Sequence, residues 1–91
     1  TDLLVDVRSP EEYLAGTIPG AINIPIDELR SRLDELPKDK HIYIFCQIGL
    51  RGYLAQRILV QHGYEHVRNV SGGYYLWNIC TLEQQAEAVL Q

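Results

Sequence analysis

Residues 42–64 read IYIFCQIGLRGYLAQRILVQHGY, and the reading of this stretch decides the fold. Ile42 to Phe45 is a continuous β-branched and aromatic run, the pattern of a strand buried on both faces. Leu54, Ile58 and Leu59 recur at helical spacing beside Tyr53 and Val60, and Gly63 after His62 predicts a helix stop. CQIGLRG joins the two. A cysteine at the carboxyl end of a buried parallel strand, in a short turn before a helix, stands where α/β proteins place chemistry. The turn's N–H groups and the helix's positive end converge there, and both favour an anion, here a thiolate.

Working outward, Leu3-Leu4-Val5-Asp6-Val7 predicts a buried strand with one polar interruption. Asp6 faces a helix N-terminus or a basic partner, and its expected role is a structural acid serving nearby backbone or Arg8. Ser9-Pro10-Glu11-Glu12 is a helix start: Ser9 as N-cap, Pro10 in the first position, Glu12 completing a capping box. Gly16 and Pro19-Gly20 keep that helix short. Ala21 to Ile24 is a second strand, and Leu29, Leu33 and Leu36 stripe a helix for which Asp27 is the candidate cap. Beyond residue 64, Val67 to Val70 predicts a fourth strand. Gly72-Gly73 then allows close backbone approach to a neighbouring loop. Tyr74 to Trp77 is a helical patch, and Thr81 is expected to cap a separate final helix with Leu82, Ala86, Val89 and Leu90 on its apolar face. Strand and helix alternate with short connections, which implies an α/β fold: a small parallel sheet with helices on both faces and right-handed crossovers.

The net charge of −4 argues against a nucleic-acid or anionic-membrane partner. No apolar run reaches the length of a membrane span, and no secretory signal is visible. Cys46 and Cys80 do not make a disulfide framework, so a reducing, cytoplasmic setting is the expectation. The 91 residues contain no Met and start almost directly on a strand, which reads as a single domain cut from a longer chain. His41, His62 and His66 have no metal-like spacing with either cysteine.

DVRSPEEYLAGTIPGAINIP (6–25), FCQIGLRG (45–52) and NVSGGYYLW (69–77) together resemble the rhodanese family of sulfurtransferase domains, over residues 3 to 77. CQIGLRGYLAQRIL (46–59) looks most like the rhodanese domains fused to flavin- and nicotinamide-dependent coenzyme A disulfide reductases. The resemblance implies a three-layer α/β/α fold. It implies that Cys46 carries a persulfide in a cradle of loop amides from Gln47, Ile48, Gly49, Leu50 and Gly52, and that Arg51 closes the loop. Gly49 and Gly52 would let the backbone curl around the sulfur; Asp6 and Arg8 would be structural, with Arg8 at the rim of the site. A small-molecule sulfur donor and a thiol or cyanide acceptor are implied. No cofactor is implied in this domain, although FAD and coenzyme A would belong to an attached N-terminal reductase. Two departures stand out. Thr17 replaces a histidine frequent in the family and is not read as functional. The additional first strand and helix usual in the family have no room here, so an uncovered sheet edge would favour association, such as a dimer.

Two rival functions use the same residues. Cysteine phosphatases also close an amide-lined loop with arginine, but theirs is longer; the four residues between Cys46 and Arg51 fit one sulfur better than a phosphate. Non-catalytic rhodanese-like docking modules generally lose the cysteine that this chain keeps. The uncharged Gln47, Ile48 and Leu50 point to a thiol persulfide or polysulfide donor over thiosulfate. Cys80 is expected to be structural or incidental, its sharper alternative being a resolving thiol. Tyr74, Tyr75 and Trp77 are expected to be packing residues, the alternative being an aromatic wall for a bulky donor.

Overall fold

Four short strands form one parallel sheet in the order β2-β1-β3-β4: β1 Leu3–Asp6, β2 Ile22–Asn23, β3 Ile42–Phe45 and β4 Val67–Asn69. The computed structural model describes residues 2–90, with the side chains of residue 83 and of residues 85–90 outside the description. The anticipated apolar face at Ala86, Val89 and Leu90 therefore lies outside the described side chains. β3 is central, and Ile42, Ile44 and Phe45 are fully buried, as its unbroken apolar run requires.

The connections are α1 (Pro10–Ala15), a 3-10 segment (Ile26–Glu35) and α2 (Leu50–Gln61), and α3 (Gly73–Leu90) follows β4. With right-handed crossovers, the step from β1 out to β2 puts α1 on one face. The steps back to β3 and on to β4 put the 3-10 segment and α2 on the other, where those two pack together. α3 returns to the α1 face, since Tyr74 lies against Gly16 at the end of α1. The core joins Val5, Val7, Ile24, Leu29, Leu36, Ile44, Ala55, Leu59 and Tyr64.

Three local expectations change. The Leu29, Leu33, Leu36 stripe does face the core, but its segment is 3-10 with a non-helical Arg32 (φ −122°, ψ 22°). Pro25 offers no side-chain cap, and Arg32 is drawn to Glu28 and Glu35 at 3.2 and 2.7 Å. Thr81 starts no new helix: α3 runs unbroken from Gly73 through it. A mid-helix threonine costs only a few tenths of a kcal/mol, too little to break a helix on its own. β2 is limited to Ile22–Asn23.

β1 and β3 are adjacent, yet their connections leave toward opposite faces. That makes the crevice beyond their carboxyl ends the topological switch point of the sheet, where open α/β folds bind ligands. Arg8 and Cys46 both lie there.

Candidate active site

Cys46 directly follows β3 and is 2% exposed, at the base of a concavity of about 210 Å³ lined by Cys46, Gln47, Ile48, Gly49, Leu50 and Arg51. The start of α3 holds this loop from behind. Tyr74 N–H donates to the Cys46 carbonyl (2.8 Å), and Tyr75 N–H donates to the Gln47 carbonyl (2.9 Å). In a planar trans peptide the carbonyl and the following N–H point opposite ways. Turning these two carbonyls toward α3 therefore turns the N–H groups of Gln47 and Ile48 away from it, to the loop's open side. Among the described residues the N–H groups of Gln47, Ile48 and Gly49 meet no protein acceptor. The same bonds satisfy two of the orphan donors at the start of α3.

The paired glycines make this approach feasible. Gly73 sits at φ +53°, and a Cβ there would strike the Cys46 carbonyl; Gly72 sits at φ +80°. The expected close approach of Gly72-Gly73 to a neighbouring loop is thus to the Cys46 loop itself. The reason for Gly52 differs from the expectation. Its φ is not positive, and the backbone does not curl there; a Cβ would instead run into Asn69 Oδ1. Asn69 Nδ2 donates to the Gly49 carbonyl (3.2 Å), while its Oδ1 is buried with no protein partner. Gly49 precedes α2 with open space around it.

Arg8 lies beneath the loop, not at its rim. It is 3% exposed and donates from Nε and Nη2 to the fully buried Asp6 carboxylate, at 2.8 to 3.2 Å. The Asp6 carboxylate also receives the Arg8 N–H (3.0 Å) and the Thr17 hydroxyl (2.8 Å), so the buried charge is paired and its oxygens are filled. The rest of the guanidinium reaches outward: Nη2 donates to the Gly16 carbonyl (2.7 Å) and Nη1 to Gln47 Oε1 (3.1 Å). Its carbon stands 4.4 Å from the Tyr74 ring centroid, a cation–π contact. Arg8 thus ties β1, α1, α3 and the first loop side chain together.

Arg51 lines the concavity, but its guanidinium is held from the side by Glu12, with Nη1 to Oε1 at 2.6 Å and Nη2 to Oε2 at 3.0 Å. That hydrogen bond is the main reason the Glu12 carboxyl is lowered to about 2, and it raises Arg51 above its ordinary value. Glu12 also completes the capping box, since Oε1 accepts the Ser9 N–H at 3.1 Å. The ion pair joins the first turns of α1 and α2 across the switch point.

Sequence reasoning missed this reach of Glu12, and also Asn69 and Thr17. Glu12 was legible in principle: α1 and α2 begin beyond adjacent strands, so an acid in one first turn can meet a base in the other. Asn69 carries no local signal. Elsewhere, His41 and His66 pack ring to ring (5.0 Å) at the amino ends of β3 and β4, away from Cys46, and Cys80 is exposed on α3. Tyr74 and Trp77 stack at 5.7 Å, as packing residues would. No helix among the described residues is long and apolar enough to cross a membrane.

The geometry agrees with the similarity found among known proteins. The rhodanese-like domain model matches residues 1–80, and the chain belongs to that family. It is 46% identical to the thiosulfate:glutathione sulfurtransferase of Homo sapiens, with 81% of this chain and 76% of the relative covered. It superimposes on reduced Bacillus anthracis CoADR-RHD with a TM-score of 0.79 at 56% identity, covering 84% of this chain and 14% of that one. On the NAD-dependent persulfide reductase from A. fulgidus the TM-score is 0.73 at 47% identity, again over 84% of this chain and 14% of the other.

Proposed function

We propose that this rhodanese-type sulfurtransferase carries sulfane sulfur as a persulfide on Cys46. The Cys46 thiolate attacks the outer sulfur of a donor R–S–SH; the donor S–S bond breaks, and its electron pair leaves on R–S⁻. The resulting Cys46–S–SH loses its proton to solvent. An acceptor thiolate then attacks the outer sulfur, breaks the bond to Cys46 Sγ and restores the Cys46 thiolate. With thiosulfate as donor, sulfite is the leaving group instead. The N–H groups of Gln47 and Ile48 and the positive start of α2 stabilise negative charge on the outer sulfur, much as an oxyanion hole does. Gly49 and Leu50 complete the wall, and Arg51 closes one side as a fixed positive charge.

The observation that carries this reading is the loop whose carbonyls at Cys46 and Gln47 are bound by α3, leaving adjacent N–H groups without protein acceptors. The proposed donor is a thiol persulfide such as coenzyme A persulfide. The uncharged loop side chains support this choice, as does the likeness to CoADR-RHD. On the same grounds the proposed working partner is an N-terminal flavoprotein reductase domain bearing FAD and coenzyme A. The proposed setting is the cytoplasm, supported by the two free thiols.

The test is intact-mass measurement after exposure to polysulfide. With Cys80 replaced by Ser in both proteins, the otherwise wild-type chain is expected to gain about 32 Da, one sulfur atom, and Cys46→Ser to gain none and to lose transfer to cyanide. An unmodified Cys80→Ser chain would favour a non-catalytic docking role. Aryl-phosphate turnover that depends on Cys46 would sink the sulfurtransferase reading.

A further inference from the structure

Next to the Cys46 concavity, between α2 and the 3-10 segment, lies a second and larger depression of about 550 Å³. Ile26, Leu54 and Ile58 give it an apolar floor, while Arg30, Arg51 and Arg57 stand along it with a single acid, Asp27. Arg51 lines both depressions, so the groove adjoins the Cys46 concavity at that side chain. Its charge is already matched by Glu12. Among the described residues neither Arg30 nor Arg57 has a carboxylate within ion-pair distance. Two uncommitted arginines over one groove, in a chain of net charge −4, are a local reversal of sign.

Size narrows the occupant. The α2 side of the groove runs from Arg51 to Gln61, about 15 Å at the helical rise. Thiosulfate would occupy only the Cys46 end, whereas the volume lies in the range that takes whole small molecules. An apolar floor with arginines along it fits a chain of methylenes ending in anionic groups, which guanidinium forks bind in charge-assisted pairs.

We propose that this groove holds the tail of the thiol that delivers sulfur to Cys46 or accepts it, and that the tail is elongated and carries two or more negative charges, with Arg30 and Arg57 as its specificity residues. The proposal rests on the persulfide role of Cys46 and names the class of thiol that serves it.

The experiment compares the wild type with Arg30→Gln/Arg57→Gln, two exposed positions outside the loop. Three donors are used: the persulfides of coenzyme A (phosphates), glutathione (carboxylates) and 2-mercaptoethanol (uncharged). The double variant is expected to raise KM for an anionic donor by about tenfold or more, leaving kcat and the mercaptoethanol persulfide unchanged. A rise confined to coenzyme A persulfide identifies a phosphate tail, and one confined to glutathione persulfide a carboxylate tail; both support the groove. Equal change for all three donors, or for none, overturns it. Failure of Cys46 to take sulfur from any donor would overturn the catalytic reading alone. Calorimetric titration with the parent thiols then decides the groove: binding of coenzyme A or glutathione that the double variant weakens supports it, and binding that is absent or unaltered overturns it.

Discussion

Glu12 serves two partners with one carboxylate, the backbone at the start of its own helix and Arg51 on another. Glu12→Gln separates them, because glutamine still completes a capping box while losing the charge pair. Glu12 is lowered in the folded protein from its ordinary 4.5 to about 2, so its pairing favours folding above about pH 4.5. That contribution fades as pH falls from there through about 2. Arg51 and Glu12 are 36% and 35% exposed, so water screens the pair and holds its worth to about 1 kcal/mol or less. Denaturant titrations should show Glu12→Gln weaker by up to that amount at pH 7, with the two proteins converging toward pH 2. A constant offset across the range would mean that the charge pair is not the cause. Asp6 and Arg8 were readable at this scale: an acid interrupting an apolar strand, with a cation two residues on, had to find it or a backbone donor. Gln47 as the link from Arg8 to the loop was not, because only the folded chain brings residues 8 and 47 together.

Among the elements, β3, the loop and α2 were legible because one local pattern serves each: an unbroken apolar run, a glycine-bearing turn, a helical repeat. The 3-10 segment was misread as an α-helix because Leu29, Leu33 and Leu36 follow α-helical spacing; the non-helical Arg32 between Leu29 and Leu33 lets all three face the core from two 3-10 stretches. The packing of β4 on α2 was invisible, since Asn69 and Gly52 signal nothing separately. Together they form a steric pair, with the Asn69 side chain filling the space a Cβ at Gly52 would need. Gly52→Ala alone is expected to destabilise by about 2 kcal/mol through that overlap. Asn69→Ala loses one hydrogen bond but also removes an unpartnered buried oxygen, so its cost should stay near 1 kcal/mol. In the double variant the overlap is gone, and it should be more stable than the sum of the single changes predicts. Strict additivity in chemical denaturation would show that the overlap is not what excludes alanine.

For the molecule as a whole, two electrostatic effects oppose each other when an anionic donor approaches. The net charge of −4 repels it, and the arginine-lined groove beside the loop attracts it. The groove acts within a few ångströms and the net charge over a Debye length of roughly 10 Å at 0.1 M salt. Arg30 and Arg57 are exposed and lie nearest the donor, so salt also screens their attraction; where that attraction is the larger effect, raising the salt from about 20 to 300 mM lowers kcat/KM for a multiply charged persulfide and leaves an uncharged one nearly constant. A rise would show that repulsion by the whole chain dominates. The cradle, meanwhile, is made of main chain, and the side chains on its lip point outward: Ile48 is 68% exposed and Leu50 72%. Neither is buried in the core, and the peptides around them are held by Tyr74, Tyr75 and Asn69. Positions 48 and 50 are thus free to drift under selection without disturbing the loop amides proposed to hold the sulfur. A lineage, or a laboratory library randomised at those two codons, could change which molecules are welcomed at the entrance while inheriting the chemistry intact.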